Sequence, residues 1–215
     1  MSKPKVILFD CDGVLVRYPC GFAESLEQQG YANAREVMEA YVREANAVTR
    51  CEGDEDDVAL IKPYLEKLGW KGTAEEFFKE HFRRTEKYLD RNLIAEIQKL
   101  RREGVKCCLA TNQYKLKADQ LMEGLDFRNC FDRHYISYVI GYRKNTDEFW
   151  QSALRDIERE LGAVNPWDIV FFDDSQVNID VASKFGIQSY LFTDIVQFER
   201  DMNMLGFYIS LNNYC

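Results

Sequence analysis

The sequence predicts an α/β fold, a doubly wound parallel sheet with a helical insert after its first strand, and three observations carry that expectation. Short apolar runs recur along the chain, nearly continuous as parallel strands covered on both faces should be. Segments of helical spacing separate most of them, the alternation of a doubly wound core. Between residues 16 and 91 the alternation fails, and the patterns there are helical.

In chain order, Val6–Phe9 reads as the first strand. It ends in Asp10-Cys11-Asp12-Gly13, where Gly13 lets the chain turn away sharply. In the stretch that follows, Val37, Tyr41, Val42, Ala45 and Val48 keep helical spacing, as do Val58, Ile61, Leu65 and Leu68. Pro63 is expected to kink or restart the second of these helices. Thr73 and Glu76 form a capping box ahead of Phe77, Phe78 and Phe82. Residues 17–90 are too long for a loop and carry apolar faces of their own. They read as a helical unit inserted into a core of residues 1–16 and 91–215.

The core resumes with Leu93, Ile94, Ile97 and Leu100, a helix stopped by Gly104, and with a strand over residues 105–110. A third strand is expected over residues 135–140. Thr146 is the expected N-cap of a helix with Asp147 and Glu148 in its first turn. Trp150, Ala153, Leu154, Ile157 and Leu161 form its apolar stripe, and Gly162 is its stop. Residues 169–172 give the fourth strand. Val181, Ala182 and Phe185 give a short helix ending at Gly186, and residues 189–192 the last strand.

At 215 residues, 46% of them hydrophobic, the chain can form one large α/β domain or a core with a smaller insert. No segment approaches the apolar length of a membrane span, and residues 1–5 lack the hydrophobic region of a signal peptide. A cytoplasmic protein without a membrane partner is therefore expected. The seven cysteines, at positions 11, 20, 51, 107, 108, 130 and 215, have no CxxC spacing, and His81 and His134 supply no companion for a zinc site. Reduced, packed thiols follow. Cys11 between two aspartates invites a redox reading, but neighbouring carboxylates oppose thiolate formation and favour a buried structural thiol. A net charge of −8 without a basic stripe argues against nucleic acid as a partner. The acidic run 52–57 reads as a solvated helix start, His81 as a packed residue on the Phe77 and Phe78 stripe, and Arg17 and Arg50 as surface arginines.

The chemistry gathers elsewhere. A buried strand ending in two carboxylates is costly unless they react or hold a metal. Alternate residues of an extended chain point the same way, so Asp10 and Asp12 can share a pocket. A second pair, Asp173-Asp174, follows residues 169–172, Thr111-Asn112 follow 105–110, and Lys144 lies beyond 135–140. Asp10 can act as a carboxylate nucleophile. Its attack on a phosphate dianion needs the charge repulsion relieved, which a hard divalent cation on Asp10, Asp173 and Asp174 would do. Magnesium is favoured because waters and substrate phosphate complete its shell. Lys144 can neutralise phosphoryl oxygens and keep Asp10 ionised, while the Thr111 hydroxyl receives another oxygen. Asp12 can protonate the leaving oxygen and then deprotonate the hydrolytic water.

Taken together, Asp10-Cys11-Asp12-Gly13-Val14, Thr111-Asn112, Lys144 and Asp173-Asp174 resemble, in this order at strand ends, the four motifs of the haloacid dehalogenase superfamily, over nearly the whole chain. The resemblance implies a Rossmann-like core with the insert as a helical cap of the C1 type. It implies Asp10 as nucleophile and metal ligand, with the Asp12 backbone carbonyl joining Asp173 and Asp174 on magnesium. Thr111, Asn112 and Lys144 would then surround the substrate phosphate. Residues 171–178 are similar to the small sugar-phosphate phosphatases of the glucose-1-phosphate phosphatase type. The chain departs from the pattern at Asn145, where proline is usual after the lysine, and at Cys11, where a bulkier apolar residue is common. The implied activity is magnesium-dependent hydrolysis of a small phosphorylated metabolite, a sugar phosphate among the candidates. A dehalogenase usually lacks a carboxylate at the place of Asp12. A phosphomutase would share every core residue. A silent binding module on the same fold commonly loses a catalytic carboxylate, and none is missing here.

Overall fold

Five strands, β1 (Val6–Phe9), β2 (Lys106–Thr111), β3 (Arg133–Ile136), β4 (Ile169–Asp173) and β5 (Gln188–Leu191), form one parallel sheet in the order β3-β2-β1-β4-β5. The structure is a computed structural model and describes residues 3–48, 57–209 and 211. Arg50, Cys51, Cys215 and residues 52–56 of the acidic run lie outside the described residues. Phe9 pairs with Leu109 on one side and Phe172 on the other, which carries Asp10, Thr111 and Asp173 to the same edge of the sheet.

Among the described residues, four helices follow β1: α1 (Phe22–Gln28), α2 (Ala34–Val48), α3 (Asp57–Leu68) and α4 (Ala74–Tyr88). The core continues with α5 (Arg91–Arg102), α6 (Lys115–Asp119), α7 (Phe127–Cys130), α8 (Ser137–Ile140), α9 (Asp147–Leu161), α10 (Gln176–Ser183) and α11 (Ile195–Met204). Alternation along each strand decides which helices lie on which face. Val6 and Leu8 pack with Phe171, Trp150, Ile157 and Ile179, so α9 and α10 cover one face. Ile7 and Phe9 pack with Phe172, Ile97 and Phe198, so α5 and α11 cover the other. Fully burying one such large side chain is worth about 1.5–3 kcal/mol.

Helices α1 to α4 have a core of their own, including Leu26, Met38, Tyr41, Ile61, Leu65, Phe77 and Phe78. The Thr73–Glu76 capping box is present, with Glu76 N–H donating to Thr73 Oγ1 at 3.2 Å and Thr73 N–H to Glu76 Oε2 at 2.7 Å. The chain leaves and re-enters the sheet side by side. Asp90 N–H donates to Leu15 O at 2.8 Å, Arg17 N–H to Tyr88 O at 3.1 Å, and the Arg17 and Asp90 side chains form an ion pair across this neck.

Several local expectations need correction. The strand expected over residues 135–140 stops at Ile136, and Ser137–Ile140 is a helical turn closed by Gly141 at φ 80°. Ser137 ends the strand by turning its hydroxyl inward, where it accepts from Gln113 N–H at 3.0 Å and donates to Gln113 O at 3.2 Å. Val139, 70% exposed, is not a core strand residue at all. Pro63 does not restart its helix, since α3 runs through it from Asp57 to Leu68. Phe185 lies beyond α10, which ends at Ser183. Thr146 occupies the N-cap of α9, but its hydroxyl donates to Arg143 O at 2.9 Å instead of accepting a helix N–H.

Candidate active site

The carboxyl ends of β1 and β4 adjoin where the winding of the sheet reverses, the usual ligand crevice of an open α/β sheet. Asp10 and Asp173 hang from these neighbouring strands, and the Asp10 N–H donates to Phe172 O at 2.9 Å. Lys144, from the turn between α8 and α9, places its ammonium 2.5 Å from Asp10 Oδ1 and 2.6 Å from Asp173 Oδ2. It is 1% exposed, so it is no surface lysine. Its backbone is fixed on both sides, the N–H donating to Asn112 Oδ1 at 3.0 Å and the carbonyl accepting the Trp150 indole N–H at 2.7 Å. Those two bonds hold the loop in place even though Asn145, not proline, follows the lysine.

Asp173 is wholly buried and fully engaged. Its Oδ1 accepts from Ser175 N–H at 2.8 Å and from Asn178 Nδ2 at 3.0 Å, and its Oδ2 lies 3.1 Å from the same amide. Asp10 Oδ1 also accepts the Cys11 N–H at 2.7 Å. Burial drives the Asp10 carboxyl up to about 8, against the pull of Lys144 and with Asp173 and Asp12 adding to the rise. Burial alone would lower Lys144, but Asp10 and Asp173 more than reverse it and hold the ammonium above its ordinary value. Asp174 is raised by burial and by Asp173.

Carboxylate oxygens of Asp10, Asp173 and Asp174 lie within 4.8 Å of one another. One ammonium does not balance three carboxylates, and hard oxygen donors this close suit an oxygen-ligated divalent cation such as magnesium. Gly13 makes the close approach possible: at φ 92°, a Cβ there would stand 2.0 Å from Asp174 Oδ2.

Asp12 stands apart from that cluster. Its Oδ2 accepts from Gln113 Nε2 at 2.8 Å and its Oδ1 from the Tyr18 hydroxyl at 3.3 Å. Gln113 Nε2 also donates to Thr111 Oγ1 at 3.0 Å, so one amide aligns both residues. Tyr18 in turn meets Thr85 of α4 at 2.9 Å, and the buried Lys117 ammonium bonds the same Thr85 hydroxyl. A cavity of about 410 Å³ is lined by Asp10, Asp12, Thr111, Asn112, Lys144 and Asp174, with Arg143 beside them. Asp173, wholly buried, does not line it. Cys11 is wholly buried, its thiol pushed up by burial and by Asp12, as a structural thiol would be. Gln113, Tyr18 and Arg143 join the site without being legible as site residues in the sequence, because isolated amides, phenols and guanidiniums carry no spacing signal.

Residues 4–186 match the family of haloacid dehalogenase-like hydrolases, and the chain belongs to that family. Among solved structures, a HAD family enzyme from Bacteroides thetaiotaomicron superposes with a TM-score of 0.72 at 18% identity, over 94% of this chain and 99% of that one. The wild-type form of that enzyme in complex with magnesium and inorganic phosphate gives a TM-score of 0.67 at 19% identity, over 88% and 94% of the two chains. A predicted HAD-like family hydrolase from Porphyromonas gingivalis gives 0.70 at 17% identity, over 95% and 98%. No curated protein matches the sequence. Among the described residues, no helix is long and apolar enough to cross a membrane.

Proposed function

We propose that this hydrolase cleaves a small phosphate monoester with magnesium as cofactor, through an aspartyl-phosphate on Asp10. The observation that carries the reading is the separation of the two carboxylates of the first motif. Asp10 lies within the acidic cluster and against Lys144, whereas the Asp12 side chain lies outside it, aimed into the same cavity by Gln113 and Tyr18. That division suits a nucleophile and a general acid, and it favours a phosphatase over a dehalogenase.

Lys144 and the Cys11 N–H occupy Asp10 Oδ1, which leaves Oδ2 to attack phosphorus. As the bond from phosphorus to the ester oxygen breaks, Asp12 gives that oxygen a proton. The Asp12 carboxylate then takes a proton from water, which attacks phosphorus and frees Asp10. Thr111, Asn112 and Lys144 line the place where the phosphoryl oxygens would sit. Bound to Asp10, Asp173, Asp174 and the Asp12 carbonyl, magnesium would offset the charge of nucleophile and phosphate. The complex of the Bacteroides enzyme with magnesium and phosphate supports the same choice of cofactor and group. Residues 17–90 would act as a helical cap over the cavity, and a sugar phosphate of the kind taken by the resembling phosphatases would fit its polar mouth.

The test is phosphate release from a chromogenic ester with and without magnesium, in wild type and Asp10→Asn. We expect metal-dependent turnover that the substitution abolishes while the thermal melt stays cooperative. Near-normal turnover by a folded Asp10→Asn protein would remove the covalent mechanism.

A further inference from the structure

Beyond the phosphate site the cavity continues into the helical unit. A second space of about 250 Å³ shares Asp12, Asn112 and Arg143 with the first and adds Ser137 and Ala45. A third, of about 860 Å³, shares Tyr41, Val42, His81 and Tyr114 with the second. Aromatic and apolar residues such as Phe22, Met38 and Tyr114 line it together with two acidic and two basic side chains. Where the second and third spaces join, the Tyr41 hydroxyl and His81 Nδ1 are buried without a hydrogen-bond partner among the described residues. Buried polar atoms of this kind are rare unless something meets them.

Resting on the phosphatase reading, we infer that the substrate is a phosphate monoester whose alcohol carries a flat ring beyond a short hydroxylated link, the chemistry of a nucleoside monophosphate. Each part of such a molecule meets a surface suited to it. The phosphate lies among Thr111, Asn112 and Lys144. The link crosses the small space, which Tyr41 and His81 line beside Asp12 and Asn112. The ring enters the large chamber against Phe22 and Tyr114, the half-buried aromatics of its lining, since aromatic walls accept any planar π-face. A bare sugar phosphate would fill the first two spaces and leave the aromatic chamber to water.

The experiment compares adenosine and uridine 5′-monophosphates with ribose 5-phosphate, which keeps the link and lacks the ring. All are run with magnesium, beside p-nitrophenyl phosphate and pyridoxal 5′-phosphate. The nucleotides are expected to exceed ribose 5-phosphate in kcat/KM by tenfold or more. Tyr114→Leu, which keeps an apolar side chain and is checked for folding by its melt, should cut that ratio at least threefold. Equal kcat/KM for nucleotides and ribose 5-phosphate overturns the inference while leaving the phosphatase intact. A tenfold preference for pyridoxal 5′-phosphate over the nucleotides overturns the hydroxylated link. No turnover of any ester would overturn the phosphatase reading itself, and this inference with it.

Discussion

Lys144 is buried and held by two buried carboxylates, so its removal should be felt twice. Asp10 and Asp173 would remain buried without their cation, and breaking a buried ion pair from one side costs about 3–5 kcal/mol. A charge aimed at the transferring phosphoryl group would also be gone, a loss of roughly a hundredfold or more in rate. Lys144→Met is therefore expected to lower both the melt in the absence of metal and the turnover number. A variant that melts like wild type would show that the ammonium carries no structural share. The sequence alone points to a functional lysine whose loss lowers the rate much more than it disturbs folding. Its burial depends on the turn beyond α8 and on the Asn112 and Trp150 bonds, which no local pattern announces. Asp10, Asp173 and Asp174 are legible for the opposite reason, because a carboxylate directly after a buried apolar run is costly unless it reacts or holds a cation. Gln113, which orients Asp12, acts through a neutral amide and leaves no such mark.

At the level of elements, periodicity serves well where a helix has one wet face and poorly where a run is short. The stripes of α5 and α9 lie on the sheet as their spacing predicts, and the first, second, fourth and fifth strand runs sit within a residue of their places. The third strand is shorter than its apolar run suggests because four apolar or small residues read alike as strand or helical turn. Helix α1 leaves no signal, as seven residues with Leu26 alone buried give no stripe. Helix α4 carries a pH-sensitive residue. His81 packs on Phe22 with ring centroids 4.6 Å apart, and its Nδ1 is covered. Burial, with Lys117 and Arg84 nearby, holds its pKa well below the ordinary 6.5. The folded ring stays neutral while the unfolded one protonates, so its stability contribution is intact above pH 6.5 and lost as pH falls below it. At pH 5.5 the loss approaches about 1.4 kcal/mol, one pH unit below the unfolded value. His81→Leu should therefore gain on wild type between pH 7.5 and pH 5.5 by up to about that amount in denaturant melts. Other groups, such as the partly buried His134, titrate in both proteins and cancel in the difference. A constant gap between the two proteins across that range would mean that His81 charges freely in the fold.

For the molecule as a whole, the sheet edge concentrates negative charge that the rest of the chain does not neutralise. The protein carries a net charge of −8, and three carboxylates at the centre of its site share one ammonium. Folding must bring those carboxylates together, and the raised Asp10 and Asp174 record the cost. A divalent cation that binds the folded chain alone should offset it. At a hundred times the dissociation constant the gain is about 2.7 kcal/mol. For a chain of this size that corresponds to a melt roughly 5–10 °C higher, reversed by chelator. Asp174→Ala separates this account from a general salt effect, because its two consequences have opposite signs. Without metal the variant should melt no lower than wild type, since one repelling carboxylate is gone from the cluster. With magnesium it should gain little, since a ligand is gone too. Calcium-free melts of both proteins over a magnesium titration at fixed ionic strength make the comparison. If Asp174→Ala rises with magnesium as far as wild type does, the cation binds away from this cluster, and the charge imbalance at the strand ends must be relieved by protonation instead.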